Sequence, residues 1–373
     1  VDSIIEAAIA DSAASAAALA IGRYGKLVSL RGFGELAYGS GREALPTSIF
    51  DLASVSKVVG TTTAVMMLVA EGVLDLDAPV VNYLPWWARG DERKREVTVR
   101  QLLLHRAGLA PFRQWFFEFE GVSAYQDAVA DEPLEAEPGV ATVYSDIGVM
   151  TLAWVVEELA GQRLDQFLQE RLFGPLGMRE TGYLPESSLL SRIAATELDT
   201  VWRDQLVWGR VHDENADAMG GVAGHAGLFS TALDLSVFAR MMLNGGIAPA
   251  CLPGEEAGEP CPVARLSDVT VLERSVREVF TSRYDDTSSR ALGWDTPSGQ
   301  SSAGDYLTSR AYGHTGYTGT SLWIDPELDL WVVLLTNRVH PTRENQKHVP
   351  LRRAVHDATA LAITDQSIQQ RQP

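Results

Sequence analysis

Apolar residues form strand-like runs at both ends of the chain. Ala17–Gly22 and Leu27–Leu30, separated by a Tyr-Gly pair, predict a β-hairpin, and further strand-like sequence covers Gly34–Tyr38. Near the other end, Ser321–Ile324 and Leu330–Leu335 flank an Asp-Pro-Glu turn and predict a second strand pair. We therefore expect one antiparallel sheet assembled from the two ends of the chain.

The sequence between these ends has the apolar spacing of helices, as do the first and last segments of the chain. Helices are predicted over residues 4–15, 98–105, 150–159, 164–172, 234–243 and 351–363. This pattern indicates an α+β protein. We expect a sheet lobe from residues 1–75 and 290–373, a mainly helical lobe from residues 76–289, and a site in the cleft between them.

Composition narrows the class of protein. The 373 residues are 46% hydrophobic and 21% charged, which is typical of a soluble globular chain. No apolar run is long enough to span a bilayer, and residues 1–5 do not form a signal peptide. The net charge of −18 disfavours nucleic acid and anionic membranes as partners. Two cysteines, Cys251 and Cys261, lie in a Pro- and Gly-rich segment that predicts a loop, and the sequence does not decide whether they form a disulfide.

A serine and a lysine three residues apart are the first candidates for chemistry. Ser54 and Lys57 precede an apolar run, so they lie about one turn apart where a helix begins. A serine hydroxyl becomes a nucleophile when a neighbouring base takes its proton, and a lysine whose pKa is lowered by burial is such a base. A helix cap at Ser54 or Ser56 beside a solvated lysine is the alternative. Of the four lysines, Lys57 alone follows a serine by three positions, which favours chemistry.

Two further segments could complete a site. Tyr144–Asp146 (YSD) directly precedes an apolar helix and, taken alone, is typical of an ordinary helix cap. Gly313–Gly319 (GHTGYTG) precedes the second strand pair and, taken alone, could be a glycine-rich turn. Its glycines would also let a substrate approach a backbone edge that donates N–H groups.

Taken in order, the three motifs resemble the serine β-lactamase and penicillin-binding protein superfamily. Ser-x-x-Lys begins at Ser54, Tyr-Ser-Asp follows about ninety residues later, and His-Thr-Gly begins at His314. The resemblance is to the class C β-lactamase branch, with its DD-peptidase and carboxylesterase relatives, and 211–230 is most similar to the penicillin-binding protein 4B-type subgroup. Supporting stretches are FDLAS at 50–54, GVLDLDAP at 72–79, LLLHRAGL at 102–109 and FGPLGM at 173–178.

The resemblance implies a β-lactamase/transpeptidase-like fold and a role for each matching residue. Ser54 would be the acylated nucleophile. Lys57 and Tyr144 would share the base and acid roles, and either could take the first proton. The backbone N–H groups of Ser54 and Tyr317 would form the oxyanion hole. The residues implied in substrate binding are Asp146, His314, Thr315, Gly316 and Tyr317.

Two departures from the family pattern change the expected activity. The third motif usually begins with a lysine that helps hold a β-lactam carboxylate, whereas His314 would be only partly charged near neutral pH. The middle motif usually ends in asparagine. Asp146 adds negative charge that should raise the pKa of Lys57, and an ionised carboxylate cannot donate a hydrogen bond. Both changes disfavour an efficient β-lactamase.

We therefore expect an esterase-like serine hydrolase that acts on a small ester or amide with weak β-lactam turnover. A D-alanyl peptidase or class C-type β-lactamase is the alternative, and an inactive ligand-binding relative is the rival from another class. Neither metal nor organic cofactor is implied. The expected partner is a small ester, β-lactam or D-Ala peptide. The resemblance suggests a periplasmic or secreted bacterial protein, while a cytoplasmic location, the oligomeric state and the physiological substrate stay open.

Other histidines and aromatic residues favour structural interpretations. His105, His212 and His225 are more typical of hydrogen-bonded positions than of catalytic ones. Residues 86–87 (WW) and 115–117 (WFF) could line a cleft, but core packing is favoured.

Overall fold

A computed structural model describes residues 1–247 and 270–372 of the chain. The loop with Cys251 and Cys261, and with it the question of a disulfide, lies outside the described residues. Among the described residues, no helix is both long and apolar enough to cross a membrane.

The main sheet has five antiparallel strands in the order β2-β1-β10-β9-β8. Their bounds are β1 Ala16–Arg23, β2 Lys26–Gly34, β8 Tyr312–Thr315, β9 Ser321–Asp325 and β10 Leu330–Thr336. Strands from the two ends of the sequence therefore meet at the pairing of β1 with β10, where Ala20 lies opposite Val333. The predicted sheet and the α+β class are confirmed.

Both faces of this sheet are buried, which explains why β1 and β10 are apolar at successive positions rather than at alternate ones. Ala18 and Val333 belong to the core on one face, together with helix residues such as Phe238. Leu19 and Val332 belong to the core on the other face, which is covered by the first and last helices of the chain.

The helices lie around this sheet. In the sequence, most of them fall between strands β1 and β2 at the start of the chain and strands β8, β9 and β10 near its end. The α-helices are α1 Asp2–Ala10, α2 Thr63–Ala70, α3 Val99–Leu103, α4 Val122–Asp131, α5 Asp146–Ala160, α6 Leu164–Leu168, α7 Gly174–Leu176, α8 Glu214–Ala218, α9 Ala232–Leu243, α10 Arg274–Thr281 and α11 His348–Leu361. Lys57–Thr62 and Gln169–Phe173 are π-helical turns. Thr98 caps α3 through a capping box with Gln101, as the predicted cap at Thr98 requires.

Two smaller sheets complete the fold. Strands β3 Phe50–Asp51, β7 Leu228–Ser230 and β4 Gly182–Tyr183 form one of them, and β5 Leu198–Asp199 pairs with β6 Gln205–Leu206. The pairing of β3 with β7 places the segment before Ser54 beside residues from the middle of the chain. Helix α9, also from the middle of the chain, packs on β1 and β10. The lobe division at residues 76 and 289 stays a prediction.

One strand prediction was wrong. The segment Gly34–Tyr38 is not a strand, because β2 ends at Gly34 and beyond it only Glu35 makes an isolated bridge, to Glu43. Gly34 and Gly39 have φ angles of 77° and 72°, and this left-handed backbone ends the extended conformation.

Most of the aromatic residues at 86–87 and 115–117 are packed in the core, as predicted. Trp87, Trp115 and Phe116 are buried, whereas Phe117 is exposed.

Candidate active site

A strained turn presents Ser54 where a helical segment begins. Ala53 has a φ angle of 46°, which is unfavourable for a residue with a side chain. Asp51 stabilises this turn from a buried position, since its Oδ1 accepts a 2.8 Å hydrogen bond from the amide of Ala53. The helical turn that follows Ser54 leads into the π-helical segment that carries Lys57.

The side chain of Lys57 is 2% exposed, and its ammonium contacts three oxygen atoms. Its Nζ lies 2.9 Å from Oγ of Ser54, 2.8 Å from the carbonyl oxygen of His225 and 2.7 Å from Oδ1 of Asp146. The first two contacts are hydrogen bonds donated by the ammonium, whereas the contact with Asp146 is an ion pair, since its Oδ1 accepts no hydrogen bond within the described residues.

The charge around Lys57 keeps it protonated. Burial alone would lower its pKa, but the negative charge of Asp146 and the phenol of Tyr144 outweigh burial and raise the pKa above the ordinary value for lysine. This direction matches the effect predicted from Asp146 in place of asparagine. A lowered pKa, the condition under which Lys57 would itself act as base, is not what the site provides.

The second motif brings Tyr144 and Asp146 to the same place. Ser145, not Asp146, is the N-cap of α5, since its Oγ accepts a hydrogen bond from the amide of Gly148. Asp146 is therefore free to pair with Lys57. Within the described residues, the buried hydroxyl of Tyr144 makes no hydrogen bond.

Strand β8 supplies the opposite edge of the site. His314 is 4% exposed, its Nδ1 lies 2.8 Å from the carbonyl oxygen of Thr315, and its buried Nε2 has no partner in the described part of the chain. Burial, with the nearby charges of Arg290 and Lys57, lowers the pKa of His314 well below its usual value. His314 is therefore neutral near pH 7 and does not replace the charge of the usual lysine.

The turn after β8 is fastened to the segment that carries Ser54. The hydroxyls of Thr318 and Thr320 donate to the carbonyls of Asp51 and Leu52 at 2.8 and 2.9 Å. Two arginines hold the other side of the turn. Arg338 donates from Nε to the carbonyl of Tyr317 at 2.7 Å, and Arg352 donates from Nη2 to the carbonyl of Thr320 at 2.8 Å. These contacts keep the amide edge of the turn close to Ser54.

A cavity of about 300 Å³ brings most of the predicted residues together. It is lined by Ser54, Tyr144, Arg290, Asp295, His314, Thr315, Gly316, Tyr317, Arg338, His348 and Arg352. Lys57 and Asp146 lie directly behind this surface, where Lys57 contacts both Ser54 and Asp146. All eight residues predicted for the site thus occur in one place.

Arg290 is a residue of this cavity that no sequence motif indicates, and its guanidinium lies 5.0 Å from the ring centroid of Tyr144. Its Nη1 is buried and, among residues 1–247 and 270–372, has no hydrogen-bond partner. It belongs to none of the three motifs, and its polar surroundings in the sequence resemble a surface loop. Only the fold brings this cation beside Tyr144.

The other three histidines considered from the sequence, His105, His212 and His225, occupy hydrogen-bonded positions. His105 accepts a 3.1 Å hydrogen bond from the amide of Ser145, and its ring centroid lies 4.6 Å from that of Tyr144. His212 pairs with Glu197 and His225 pairs with Asp213, both at 2.9 Å.

Comparison with known proteins agrees with this geometry. Residues 1–357 match the family described as Beta-lactamase. The chain is 31% identical over 334 residues to an Escherichia coli (strain K12) protein provisionally named D-alanyl-D-alanine carboxypeptidase, covering 82% of this chain and 73% of that one. It is 32% identical over 375 residues to the N-acetylmuramyl-L-alanine amidase of Bacillus subtilis (strain 168), covering 91% and 80%.

The fold is also similar to that of a solved class C β-lactamase from Rhodobacter sphaeroides. The TM-score is 0.72 at 20% sequence identity, and the match covers 97% of this chain and 99% of that one. The three motifs, their meeting in one cavity and the match over nearly the whole chain lead to one assignment: the chain belongs to the Beta-lactamase family and is a serine hydrolase.

Proposed function

We propose that the chain hydrolyses a small ester or amide through an acyl-enzyme on Ser54. The observation that carries this proposal is the 2.9 Å contact between Oγ of Ser54 and the buried Nζ of Lys57, with Tyr144 on the wall of the same cavity. A serine used only as a helix cap has no need of a buried ammonium at its hydroxyl.

In the proposed reaction, Oγ of Ser54 attacks the substrate carbonyl and loses its proton. In the reactive form of the site, Tyr144 is a phenolate beside the Lys57 ammonium, so its oxygen takes that proton while Lys57 remains charged and donates to Ser54 and to the carbonyl of His225. The N–H groups of Ser54 and Tyr317 would stabilise the oxyanion. Tyr144 then returns the proton to the leaving group, and water releases the acid from Ser54 by the same steps in reverse.

The substrate class favoured by the site is a peptide that ends in D-alanine. A cation favours cleavage of such a peptide because it binds the free carboxylate of the leaving residue, and Arg290, beside Tyr144, has a buried Nη1 without a hydrogen-bond partner among the described residues. An unpaired buried donor is costly unless a ligand satisfies it. The name of the Escherichia coli relative points to the same class of substrate.

Hydrolysis of neutral esters, which the sequence analysis ranked first, is the second candidate. The neutral His314 favours it, because a site that lacks the family's lysine on β8 has less attraction for an anionic β-lactam. The two candidates share Ser54 chemistry and differ in how strongly Arg290 contributes to binding.

Parallel assays distinguish these possibilities. p-Nitrophenyl butyrate, nitrocefin and a D-Ala-D-Ala peptide would be compared by kcat/KM, and intact-mass measurement with a fluorophosphonate would detect the adduct on Ser54. The proposal expects one adduct per chain and faster turnover of the peptide than of nitrocefin. A chain that forms no adduct with any of these reagents is an inactive ligand-binding relative, and nitrocefin as the best substrate would reverse the proposed specificity.

A further inference from the structure

Besides the hydroxyl of Ser54, Nζ of Lys57 donates a hydrogen bond to the carbonyl of His225, a residue to which the proposed reaction gives no role. The His225 ring is fully buried, and its Nε2 lies 2.9 Å from Oδ1 of Asp213. Its Nδ1 has no hydrogen-bond partner within the described residues. Asp213 is therefore the polar anchor of this side chain.

Asp213 is itself fixed in place. It is the N-cap of α8, and the same Oδ1 that faces His225 accepts a 2.8 Å hydrogen bond from the amide of Ala216. Burial would raise the pKa of Asp213, but the charges of His225 and Lys57 lower it below the ordinary value. The carboxylate is thus ionised and lies within the electrostatic field of Lys57.

The segment between Asp213 and β7 requires a contact that holds its backbone, such as the one between Asp213 and His225. Gly220, Gly221 and Gly227 adopt φ angles of 92°, 85° and 110°, so its backbone follows a path that few other residues could take. The segment is nevertheless joined to the helix of the nucleophile at successive residues. The hydroxyl of Thr61 donates to the carbonyl of Gly224 at 2.8 Å, and Lys57 donates to the next carbonyl, that of His225.

We propose that Asp213 and His225 form a positioning pair for the acylation of Ser54. The pair holds the His225 carbonyl at the lysine ammonium, and the hydrogen bond to this carbonyl directs Nζ of Lys57 at the serine hydroxyl. A misplaced carbonyl would leave an N–H of Lys57 unpaired and let the ammonium move away from Ser54. The inference rests on the proposed function, since it assigns a purpose to the pair only if Ser54 is acylated.

Substitutions of His225 test the pair. His225→Leu removes the contact with Asp213, whereas His225→Gln retains an N–H donor at about the position of Nε2. We expect His225→Leu to lower kcat and the rate of fluorophosphonate inactivation by about 10²-fold, the usual cost of misplacing a reacting group by about 1 Å, with KM unchanged. His225→Gln should restore most of both rates.

Asp213→Ser tests the same contact if His225→Leu does not fold. Serine retains the helix cap but is too short to reach His225, so this variant should be as slow as His225→Leu. Asp217→Asn is the matched control. Asp217 is a buried acid on the same helix, α8, but it pairs with Arg203 at 2.7 Å and not with His225. It should lower the melting temperature without slowing inactivation.

The outcomes distinguish a failure of the proposed acylation of Ser54 from a failure of the Asp213–His225 pair alone. A wild-type protein without an adduct on Ser54 would overturn the proposed function and this inference with it. A wild-type protein that is acylated, with His225→Leu and Asp213→Ser inactivated at the same rate, would overturn the inference alone. Equal slowing of His225→Leu and His225→Gln would also contradict it, since the hydrogen bond to Asp213 would then have no effect on rate.

Discussion

Oδ1 of Asp146 lies 2.7 Å from Nζ of Lys57, and the lysine is almost completely buried. The family pattern usually has asparagine at this position, so the negative charge of Asp146 beside the lysine is a departure from that pattern. Because the carboxylate stabilises the ammonium, it raises the pKa of Lys57 against the opposing effect of burial.

Asp146→Asn should move the pH dependence of acylation. Before Ser54 is acylated, the pair formed by Lys57 and Tyr144 must lose one proton, and removal of the negative charge of Asp146 makes that loss easier, so the rise of the acylation rate with pH should shift by about 1 to 3 units towards lower pH. The rate of p-nitrophenyl butyrate hydrolysis between pH 5 and 10 measures this shift. Asp127→Asn, at an exposed acid that pairs with Arg89, is the control. An unchanged profile in Asp146→Asn would show that this ion pair does not govern the proton transfer.

Ser54→Ala should abolish the adduct and lower kcat by roughly 10⁴-fold or more, because it removes the hydroxyl that lies 2.9 Å from Nζ of Lys57. Ser56 is the matched control, since its buried Oγ accepts a 3.2 Å hydrogen bond from the amide of Leu228. Ser56→Ala should retain activity and lose about 1 kcal/mol of unfolding free energy. Activity that survives in Ser54→Ala and disappears in Ser56→Ala would identify a different nucleophile.

Arg290→Ala should separate anionic from neutral substrates. Loss of a charge-assisted hydrogen bond to a carboxylate costs about 1.5 to 3 kcal/mol, so kcat/KM for a D-Ala-D-Ala peptide should fall about 10- to 100-fold. p-Nitrophenyl butyrate has no carboxylate, and its kcat/KM should change far less. Arg310→Ala, at an exposed arginine outside the cavity, is the control. An equal loss for both substrates would mean that Arg290 acts through Tyr144 instead of binding the carboxylate.

The parts of the fold and site that the sequence predicted are those with local or repeated patterns. The strands of the main sheet are visible as apolar runs, and the three motifs carry the order and spacing typical of a known superfamily. The spacing of Ser54 and Lys57 is a local property of one helical turn, and their 2.9 Å contact agrees with it.

The missed parts depend on contacts between distant segments. Arg290 reaches Tyr144 from a segment without motif or periodicity, and Asp213 meets His225 across a glycine-rich path. The error at Gly34–Tyr38 has a different cause. Leu36 and Ala37 are buried in a bend, so their apolar character reflects burial and not strand pairing.

Glu197 allows a test of stability that does not depend on the substrate. Its buried carboxylate lies 2.9 Å from Nε2 of His212 and accepts a 2.8 Å hydrogen bond from the amide of Arg343. Burial would raise the pKa of Glu197, but the hydrogen bonds with His212 and with the side chain and the amide of Arg343 outweigh it and lower the pKa to about 2. The resulting stabilisation is complete above the unfolded-state pKa of about 4.3 and is lost as the pH falls through the folded-state value.

Glu197→Gln should therefore lower the unfolding free energy by about 2 kcal/mol at pH 7, and the difference from the wild type should be smaller at pH 3. Urea denaturation at the two pH values measures both quantities. Glu158→Gln, at an exposed position of α5, should change neither. A difference that is the same at pH 3 and pH 7 would show that the charge of Glu197 does not stabilise the fold, because only an ionised group with a lowered pKa loses its contribution in acid.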